Sequence, residues 1–443
     1  MFLSASFNRA RVGAATLCAL AALAGGRGAA LAQTAAPPST ASDDTLALLA
    51  PAPLSTKNPL LKPRREYQGM RLGDWMLDPS ITVGGAYDDN LGWSVSRPVR
   101  TAGLRVAPSV SALRESEGHK IVVFGDADAK LYPSYSRANS IDGAAGLNYE
   151  WSPARDLTFK ASGKYSHNSL VIGSGQVQTP NGLLRLVSPL VHDRFQGAFA
   201  VQKTFGRAFV GLSYESAKTI YAPLDTSSGS QSQSYRDSWV NRVTARAGAW
   251  VAPVFYAFGE ASGNMRDYTD SRYQSKGYRA IAGLGSDRIS LFRGEIFAGA
   301  QQQNYHGATR SSATSPVFGG KLYWYPLRDL AVRASLDQSF SDSSLPSAIN
   351  PLGAPARVTN AELAVQHQVL RDLYVVWRLA YEADRFIKSP RADDVWRTGG
   401  GLAYSATRNI DVIVDYEFSK ASSNDATARY RRNAANAGVK YRF

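Results

Sequence analysis

The sequence predicts an all-β fold, a single transmembrane antiparallel up-and-down β-barrel of about 18 strands, with 16 as the alternative count. Three observations support this fold class. Apolar and polar residues alternate with a period of two in segment after segment. After the N-terminus, no run of apolar residues is long enough for a membrane-spanning helix. Short and long turns alternate along the chain, which predicts an even number of strands and both termini on the periplasmic side.

The first 32 residues read as a secretory signal peptide. Arg9 and Arg11 precede a short apolar run, and the triplet Ala30-Leu31-Ala32 forms an A-x-A cleavage site. A membrane anchor is the alternative, but the apolar run is too short for one. Cys18 is the only cysteine and lies in this segment. The exported chain is therefore predicted to have no disulfide and no thiolate metal site.

Residues 33–66 are predicted to form a Pro-rich periplasmic arm, and residues 67–443 are predicted to form the barrel. The arm is rich in proline, serine, threonine and alanine, as extended or disordered linkers are. Two interpretations remain open for it. The arm is either a plain spacer or a segment that docks to a periplasmic partner.

The barrel opens with the stretch from Gly69 to Asn90, in which Ile81, Val83 and Tyr87 alternate with small or polar residues. This stretch has a G-x-R-x-G element, an apolar patch before Pro-Ser, and Tyr-Asp-Asp-Asn at the strand end. In these features it resembles the opening of the outer-membrane β-barrel porin family, whose members are mostly uncharacterised. The resemblance implies a barrel in the outer membrane of a Gram-negative cell. Many members lie near exopolysaccharide genes, which implies polysaccharide-export components as candidate partners.

The rest of the chain reads as a series of hairpins. Their short turns repeat a local theme, Arg-Asp-Leu or Arg-Asn-Ile, at 155–157, 328–330, 371–373 and 408–410. The predicted strands are 79–89, 100–114, 119–132, 140–151, 157–168, 192–204, 207–221, 236–250, 254–268, 277–289, 293–306, 314–326, 329–342, 358–370, 373–386, 395–406, 409–421 and 430–443.

The closing strand shows the alternation most clearly. Val439, Tyr441 and Phe443 share one face, whereas Lys440 and Arg442 share the other. A closing strand with an aromatic terminal residue resembles the C-terminal signature of bacterial outer-membrane barrels. We therefore expect these three apolar residues to be the signal that the barrel-assembly machinery reads. The alternative is the last strand of a soluble sandwich.

The cost of placing charge in lipid decides which face of each strand points outward. A Lys or Arg that faces the middle of a bilayer costs roughly 2–4 kcal/mol, so the apolar faces are predicted to contact lipid. The charged faces are then predicted to line the interior. Opposed basic and acidic side chains there either orient polar solutes in a lumen or pair and stabilise the wall. The predicted lumen-lining residues are Lys160, Lys164, Arg333, Arg378, Glu382, Asp411, Asp415, Glu417, Lys440 and Arg442.

The net charge of +14 raises the question of a polyanionic partner. Basic residues are spread along alternating strands rather than clustered, and an exported chain has little access to nucleic acid. The sequence therefore predicts no nucleic-acid partner. Contact with outer-membrane lipid, with anionic lipopolysaccharide in particular, and a basic bias of the lumen are the preferred interpretations.

No catalytic residues, metal site or cofactor are predicted. The five histidines are scattered over separate strands and loops, and no catalytic motif lies in a supporting context. Asp88 and Asp89 beside Asn90 offer oxygen ligands for a hard cation, but a polar turn is the preferred interpretation. The connection from Asn168 to Val191 is apolar for a solvated loop, so it is either a hairpin that extends the wall above the membrane or a loop folded inward.

Two functions of different classes remain. The first is an outer-membrane porin-like channel or conduit for hydrophilic solutes, with polysaccharide export as a further option. The alternative is a non-conducting structural barrel that scaffolds a surface or polysaccharide-secretion assembly. Pairing of the interior charges favours the scaffold, and a continuous water path favours the channel. A barrel enzyme would need a nucleophile and a base on neighbouring strands.

Overall fold

The computed structural model of the chain describes residues 69–443, apart from 94–97, 171–175, 180–181, 186–188, 227–228, 288, 290, 307–311 and 343–354. The predicted signal peptide, 1–32, and the predicted arm, 33–66, lie outside the described residues. None of the helices in the described ranges has the length and apolar character needed to cross a membrane. These helices are short 3-10 turns at Pro133–Ala138, Ser234–Arg236, Ser271–Tyr273 and Ala426–Ala428.

The described part of the chain is otherwise built of β-strands. In chain order they are β1 (Met70–Leu72), β2 (Trp75–Leu77), β3 (Ser80–Asp88), β4 (Thr101–Ser116), β5 (His119–Leu131), β6 (Ser140–Ala154), β7 (Leu157–Leu170), β8 (Gln176–Thr179), β9 (Gly182–Arg185), β10 (Leu190–Phe205), β11 (Ala208–Tyr221), β12 (Leu224–Thr226), β13 (Gly229–Gln231), β14 (Ser238–Trp250), β15 (Tyr256–Tyr268), β16 (Ser275–Ser286), β17 (Phe292–Tyr305), β18 (Ala313–Leu327), β19 (Leu330–Asp342), β20 (Pro355–Leu370), β21 (Leu373–Phe386), β22 (Ala392–Ser405), β23 (Ile410–Ser423) and β24 (Tyr430–Arg442).

Eighteen of the described strands form one closed antiparallel ring. Each long strand pairs with the next along the chain, and β24 closes the ring on β3 from Ala434 opposite Asp88 to Arg442 opposite Ser80. The prediction of an 18-strand antiparallel barrel is confirmed, and every predicted boundary lies within three residues of the observed one. The periplasmic position of the termini stays a prediction.

The short turns coincide with irregularities in the strands that lead into them. Register shifts occur between Trp151 and Ala154 and between Trp324 and Leu327, just before two of the Arg-Asp-Leu turns. A third shift lies between Gln368 and Leu370, before another. A bulge adds local twist and re-aims the strand, so the repeated turn theme marks the places where the wall reverses at one rim.

The connection predicted at 168–191 contains a hairpin. β8 and β9 pair antiparallel, from Gln176 opposite Arg185 to Thr179 opposite Gly182, as a two-stranded sheet separate from the ring. The described part of this connection thus contains a short hairpin. Whether the connection extends the wall above the membrane or folds inward stays a prediction.

Tryptophans near the strand ends divide into two groups. Trp151, Trp324, Trp239 and Trp396 are each exposed by more than a third, as expected for aromatic belts at the two membrane interfaces. Trp250 differs, because its ring packs edge-on against Phe209, with ring centroids 5.6 Å apart. Position near a strand end therefore does not place every tryptophan in a belt.

β18 and β19 pair along only part of their length. Their register runs from Leu327 opposite Leu330 to Gly320 opposite Leu336 and stops there. Beyond that point, the described residues of β18 pair only with β17, and those of β19 pair only with β20. Residues 337–342 of β19 are therefore not paired with the described residues of β18.

Candidate functional site: the barrel interior

The two faces of the ring strands differ sharply in exposure. On β23, Val412, Val414 and Tyr416 are exposed, whereas Asp411 on the opposite face is buried. Side chains on the charged face contact partners two or three strands away, which the concave side of a curved sheet allows. The charged face is therefore the interior face, and the ten residues predicted to line a lumen belong to it. Whether they border a water path stays a prediction.

Four of the predicted acidic residues lie in one sector, from β21 to β24, where each is paired with an arginine. Arg378 Nη2 lies 2.5 Å from Asp415 Oδ2, although β22 separates their strands. A Cβ on Gly401 of β22 would lie 2.8 Å from the Asp415 carboxylate, so glycine leaves room for the pair. The arginine and the carboxylate thus meet over the backbone of the strand between them.

The other pairs in this sector join neighbouring strands. Arg442 pairs with Asp411, which is also the cross-strand partner of Lys440. Arg397 Nη2 lies 2.9 Å from Glu382 Oε2. Arg432 completes the sector, since its Nη1 lies 3.5 Å from Glu417 Oε1.

The remaining predicted residues lie elsewhere on the ring. Lys160 stands opposite Glu150 across β6 and β7, and Lys164 stands on the same face of β7. Arg333 Nη2 lies 2.5 Å from Glu362 Oε1, and both side chains are more than a third exposed. The structure therefore gathers the predicted residues of β21 to β24 and keeps these three apart from them.

A second polar sector, from β14 to β17, was missed by the sequence prediction. The Arg246 side chain is completely buried, 2.6 Å from Glu295 and 3.5 Å from Glu260. Its guanidinium lies 3.8 Å above the ring of Phe258. Tyr256 donates its hydroxyl hydrogen to Glu295 at 2.5 Å. The signal was present, because Arg242, Thr244, Arg246 and Gly248 alternate with apolar residues.

Beside this sector the interior is apolar, which corrects the expectation of a uniformly charged face. Trp250 packs against a buried cluster there. The rings fit because β16 has glycines beneath them: a Cβ on Gly285 would lie 2.3 Å from the Tyr256 ring, and one on Gly283 2.6 Å from the Phe258 ring. The cluster consists of Phe209, Tyr256, Phe258, Ile281, Phe297 and Val317.

The Tyr-Asp-Asp-Asn sequence at the end of β3 holds the first ring strand to the last. Asp88 pairs with Arg432 at 2.7 Å. Asp89 accepts hydrogen bonds from the backbone and the side-chain nitrogen of Asn433, both at 2.6 Å. Asn90 donates to the carbonyl of Arg431 at 2.8 Å. Asp88 Oδ1 also accepts a hydrogen bond from the Asn90 backbone nitrogen at 2.9 Å, as in the polar turn preferred over a cation site. We call the contacts of Asp88, Asp89 and Asn90 with β24 the clasp.

Of the three residues predicted as an assembly signal, Val439 and Tyr441 lie on the outer surface of β24 and Phe443 directly follows this strand. Val439, Tyr441 and Phe443 are all exposed, and the rings of Tyr441 and Phe443 meet edge-on with centroids 5.1 Å apart. The backbone nitrogen of Phe443 donates to Pro79 at 3.2 Å, so the terminal residue lies against the start of β3. Recognition of these residues by assembly machinery stays a prediction.

Among the described residues, no group of three or more His, Cys, Asp or Glu side chains is arranged to hold a metal ion. Two histidines instead contact nearby polar groups. His167 Nδ1 lies 2.8 Å from Asp193, and His119 Nδ1 lies 2.8 Å from the Tyr149 hydroxyl.

An 18-strand ring with an apolar outer band and a charged interior face defines a porin-like β-barrel, and it points to the outer membrane. The sequence profile of the family described as "Putative beta-barrel porin 2" matches residues 62–443. The chain belongs to this family. No curated protein sequence matches it.

Solved structures with similar folds include one from Pseudomonas aeruginosa, one from Acinetobacter baumannii and the transporter FecA. OpdL from P. aeruginosa is 10% identical with a TM-score of 0.41, over 84% of this chain and 100% of that one. OccAB3 from A. baumannii is 10% identical with a TM-score of 0.42, over 83% and 99%. The ferric citrate transporter FecA is 11% identical with a TM-score of 0.39, over 79% of this chain and only 60% of its own. Similarities this weak support no statement about cargo.

Proposed function

We propose that this protein is an outer-membrane channel for small hydrophilic solutes. The observation that supports this function is the arrangement of the interior charges around an 18-strand ring. Barrels with 16 to 18 strands are wide enough to enclose an aqueous channel. Each interior ion pair described above joins strands at most three positions apart, so the pairs lie along the wall rather than across the ring.

The non-conducting scaffold remains the second candidate, because the interior charges are paired. Pairing removes charge that would otherwise attract a solute, and it strengthens the wall. Paired side chains along a wall still leave the axis of a wide barrel to water, which is why we prefer the channel. Polysaccharide as the cargo rests on the family resemblance alone and stays a prediction.

Single-channel conductance in a planar bilayer tests the proposal. We expect the refolded chain to give stable conductance steps with a preference for anions, because six of the ten residues predicted to line the lumen are basic and four are acidic. Folding is verified separately by circular dichroism of the same sample. A folded barrel that never conducts would contradict the channel and favour the scaffold.

A further inference from the structure

The part of β19 that is not paired with β18 turns toward the interior side of the barrel wall. We call Asp337–Phe340 the inturned segment. It begins where the pairing of β18 with β19 ends, at Leu336. Phe340 is only 4% exposed, although it follows the end of that pairing. The segment is therefore covered by other parts of the barrel.

The sequence of β18 is compatible with an unpaired strand edge beyond the point where its pairing with β19 ends. Pro316 lies in the part of β18 that pairs with β17 alone. Proline has no N–H to donate, and within sheets it is confined to edge strands, first positions and bulges. Ser315 Oγ donates to the Pro316 carbonyl at 2.8 Å, so a side chain satisfies this acceptor beside the edge. Residues Ser315 and Pro316 thus account for the separation of β18 from β19 in the sequence of β18 itself.

Two interior arginines hold the inturned segment. Arg266 of β15 donates from Nη2 to the Phe340 carbonyl at 3.1 Å. Arg279 of β16 places Nη2 3.5 Å from Asp337 Oδ1. Both guanidinium groups line a cavity that is also lined by Ser339 and Phe340 of the inturned segment.

The cavity beneath the segment offers further hydrogen-bond donors. Gln301 Nε2 and Thr244 Oγ1 line it, and each is buried without a hydrogen-bond partner among the described residues. Gln301 is 7% exposed and Thr244 is 1% exposed. An unpaired buried donor is costly, so the cavity suits a ligand that supplies several acceptor oxygens.

The charged side chains that line the cavity are three arginines, Arg242, Arg266 and Arg279, and one acid, Glu260, which lies 3.5 Å from Arg246. The excess of positive charge and the hydrogen-bond donors define the chemistry of such a ligand. A guanidinium binds a carboxylate through parallel hydrogen bonds and with full charge. Amide and hydroxyl groups match the hydroxyls of a sugar. A sugar that bears a carboxylate meets both requirements, whereas a neutral sugar meets only the second.

We propose that Arg266 and Arg279 form a binding site for an acidic sugar, which the inturned segment occupies when the sugar is absent. The Asp337 carboxylate and the Phe340 carbonyl stand in for the ligand's oxygens. A bound acidic sugar competes with them and releases the segment from the interior wall. This inference rests on the proposed channel, because it identifies the class of solute that the interior would select.

Calorimetric titration of the folded full-length barrel in detergent tests the site with glucuronate, and with glucose as the neutral control. We expect glucuronate to bind and glucose to bind at least about tenfold more weakly, since only glucuronate uses the charge of the arginines. The double variant R266Q/R279Q is expected to lose glucuronate binding. Arg333→Gln is the matched control, because Arg333 pairs with Glu362 outside the cavity.

Asp337→Asn separates competition from a general charge effect. This variant removes the internal carboxylate and keeps both arginines, so glucuronate should bind at least about threefold more tightly, as expected when a larger fraction of the site is free. Unchanged or weaker binding to this variant would overturn the competition. Equal binding of glucose and glucuronate to the original chain would overturn the site.

Binding in detergent does not need conduction, so the two proposals fail separately. A barrel that binds glucuronate but never conducts would contradict the channel and leave the site intact. A barrel that conducts with no difference between glucuronate and glucose in the titration would contradict the site and leave the channel intact.

Discussion

Interior charged residues of this barrel act as partners of one another. Arg378 and Asp415 meet over an intervening strand, with side chains 20% and 14% exposed. Removing one partner of such a pair leaves an uncompensated charge in a poorly solvated place, which costs more than the pair itself contributes. Removal of both partners should therefore lower the free energy of unfolding less than removal of one partner alone.

A double-mutant cycle measures this effect. Arg378→Ala should lower the free energy of unfolding by about 2 kcal/mol, because Asp415 keeps its charge without its partner. The double variant R378A/D415A should lose less than Arg378→Ala alone. Urea unfolding in detergent, followed by tryptophan fluorescence, gives these values.

Arg333→Ala is the control for that cycle. Its pair with Glu362 is more than a third exposed, so its loss should cost less than about 1 kcal/mol. Equal losses at the two arginines would show that the degree of burial does not decide the cost.

A second prediction concerns the clasp between β3 and β24. Asp89→Ala removes the acceptor of two short hydrogen bonds from Asn433. We expect a loss of about 1–3 kcal/mol, because the two donors are left without this partner. Thermal loss of the folded band on a detergent gel is the measurement. Asp74→Ala should change little, since Asp74 pairs with Arg114 at an exposed site.

The same clasp shows where residue-level prediction stops. Asp88 and Asp89 were visible as carboxylates at a strand end, so a cation site and a polar turn both fitted the sequence. Their actual partners, Arg432 and Asn433, lie 344 residues further along the chain. A periodic pattern does not report which distant residues will meet.

At the scale of the element, the alternation of apolar and polar residues was enough to locate the strands, because the two faces of each strand contact different surroundings. The alternation predicted for the closing strand is observed on β24, where Val439 and Tyr441 are exposed and Arg442 is buried. Alternation does not distinguish a charged interior from an aromatic one, so the cluster around Phe258 was missed. It also assumes that neighbours pair along their full length, which β18 and β19 do not.

Packing inside β15 and β16 leads to a third prediction. Gly285→Ala would place a methyl group against the Tyr256 ring, whose hydroxyl is held by Glu295 and resists a shift. Overpacking of this kind costs about 1–3 kcal/mol. Gly259→Ala on β15 is the control, because nothing lies within 4 Å of its new methyl group. Urea unfolding of both variants should separate them, and equal stability would contradict this account of the glycine.

At the scale of the whole molecule, a closed ring has no strand edge at its closure and resists unfolding as a unit. We therefore expect boiled and unboiled samples to migrate differently on a detergent gel. Identical migration of a sample with native circular dichroism would contradict a detergent-resistant ring. The same gel reports on the variants described above.

Closure of β24 on β3 also has a consequence for the order of folding. Every other pairing in the ring joins strands that follow one another, so the entropic cost of closing the loop between them is small. The closing pair, in contrast, joins residues 344 positions apart. Contacts this distant form slowly. Hairpins should therefore assemble early as an open sheet with two unsatisfied margins, and the final zipping of β24 onto β3 should limit the rate at which the mature barrel forms.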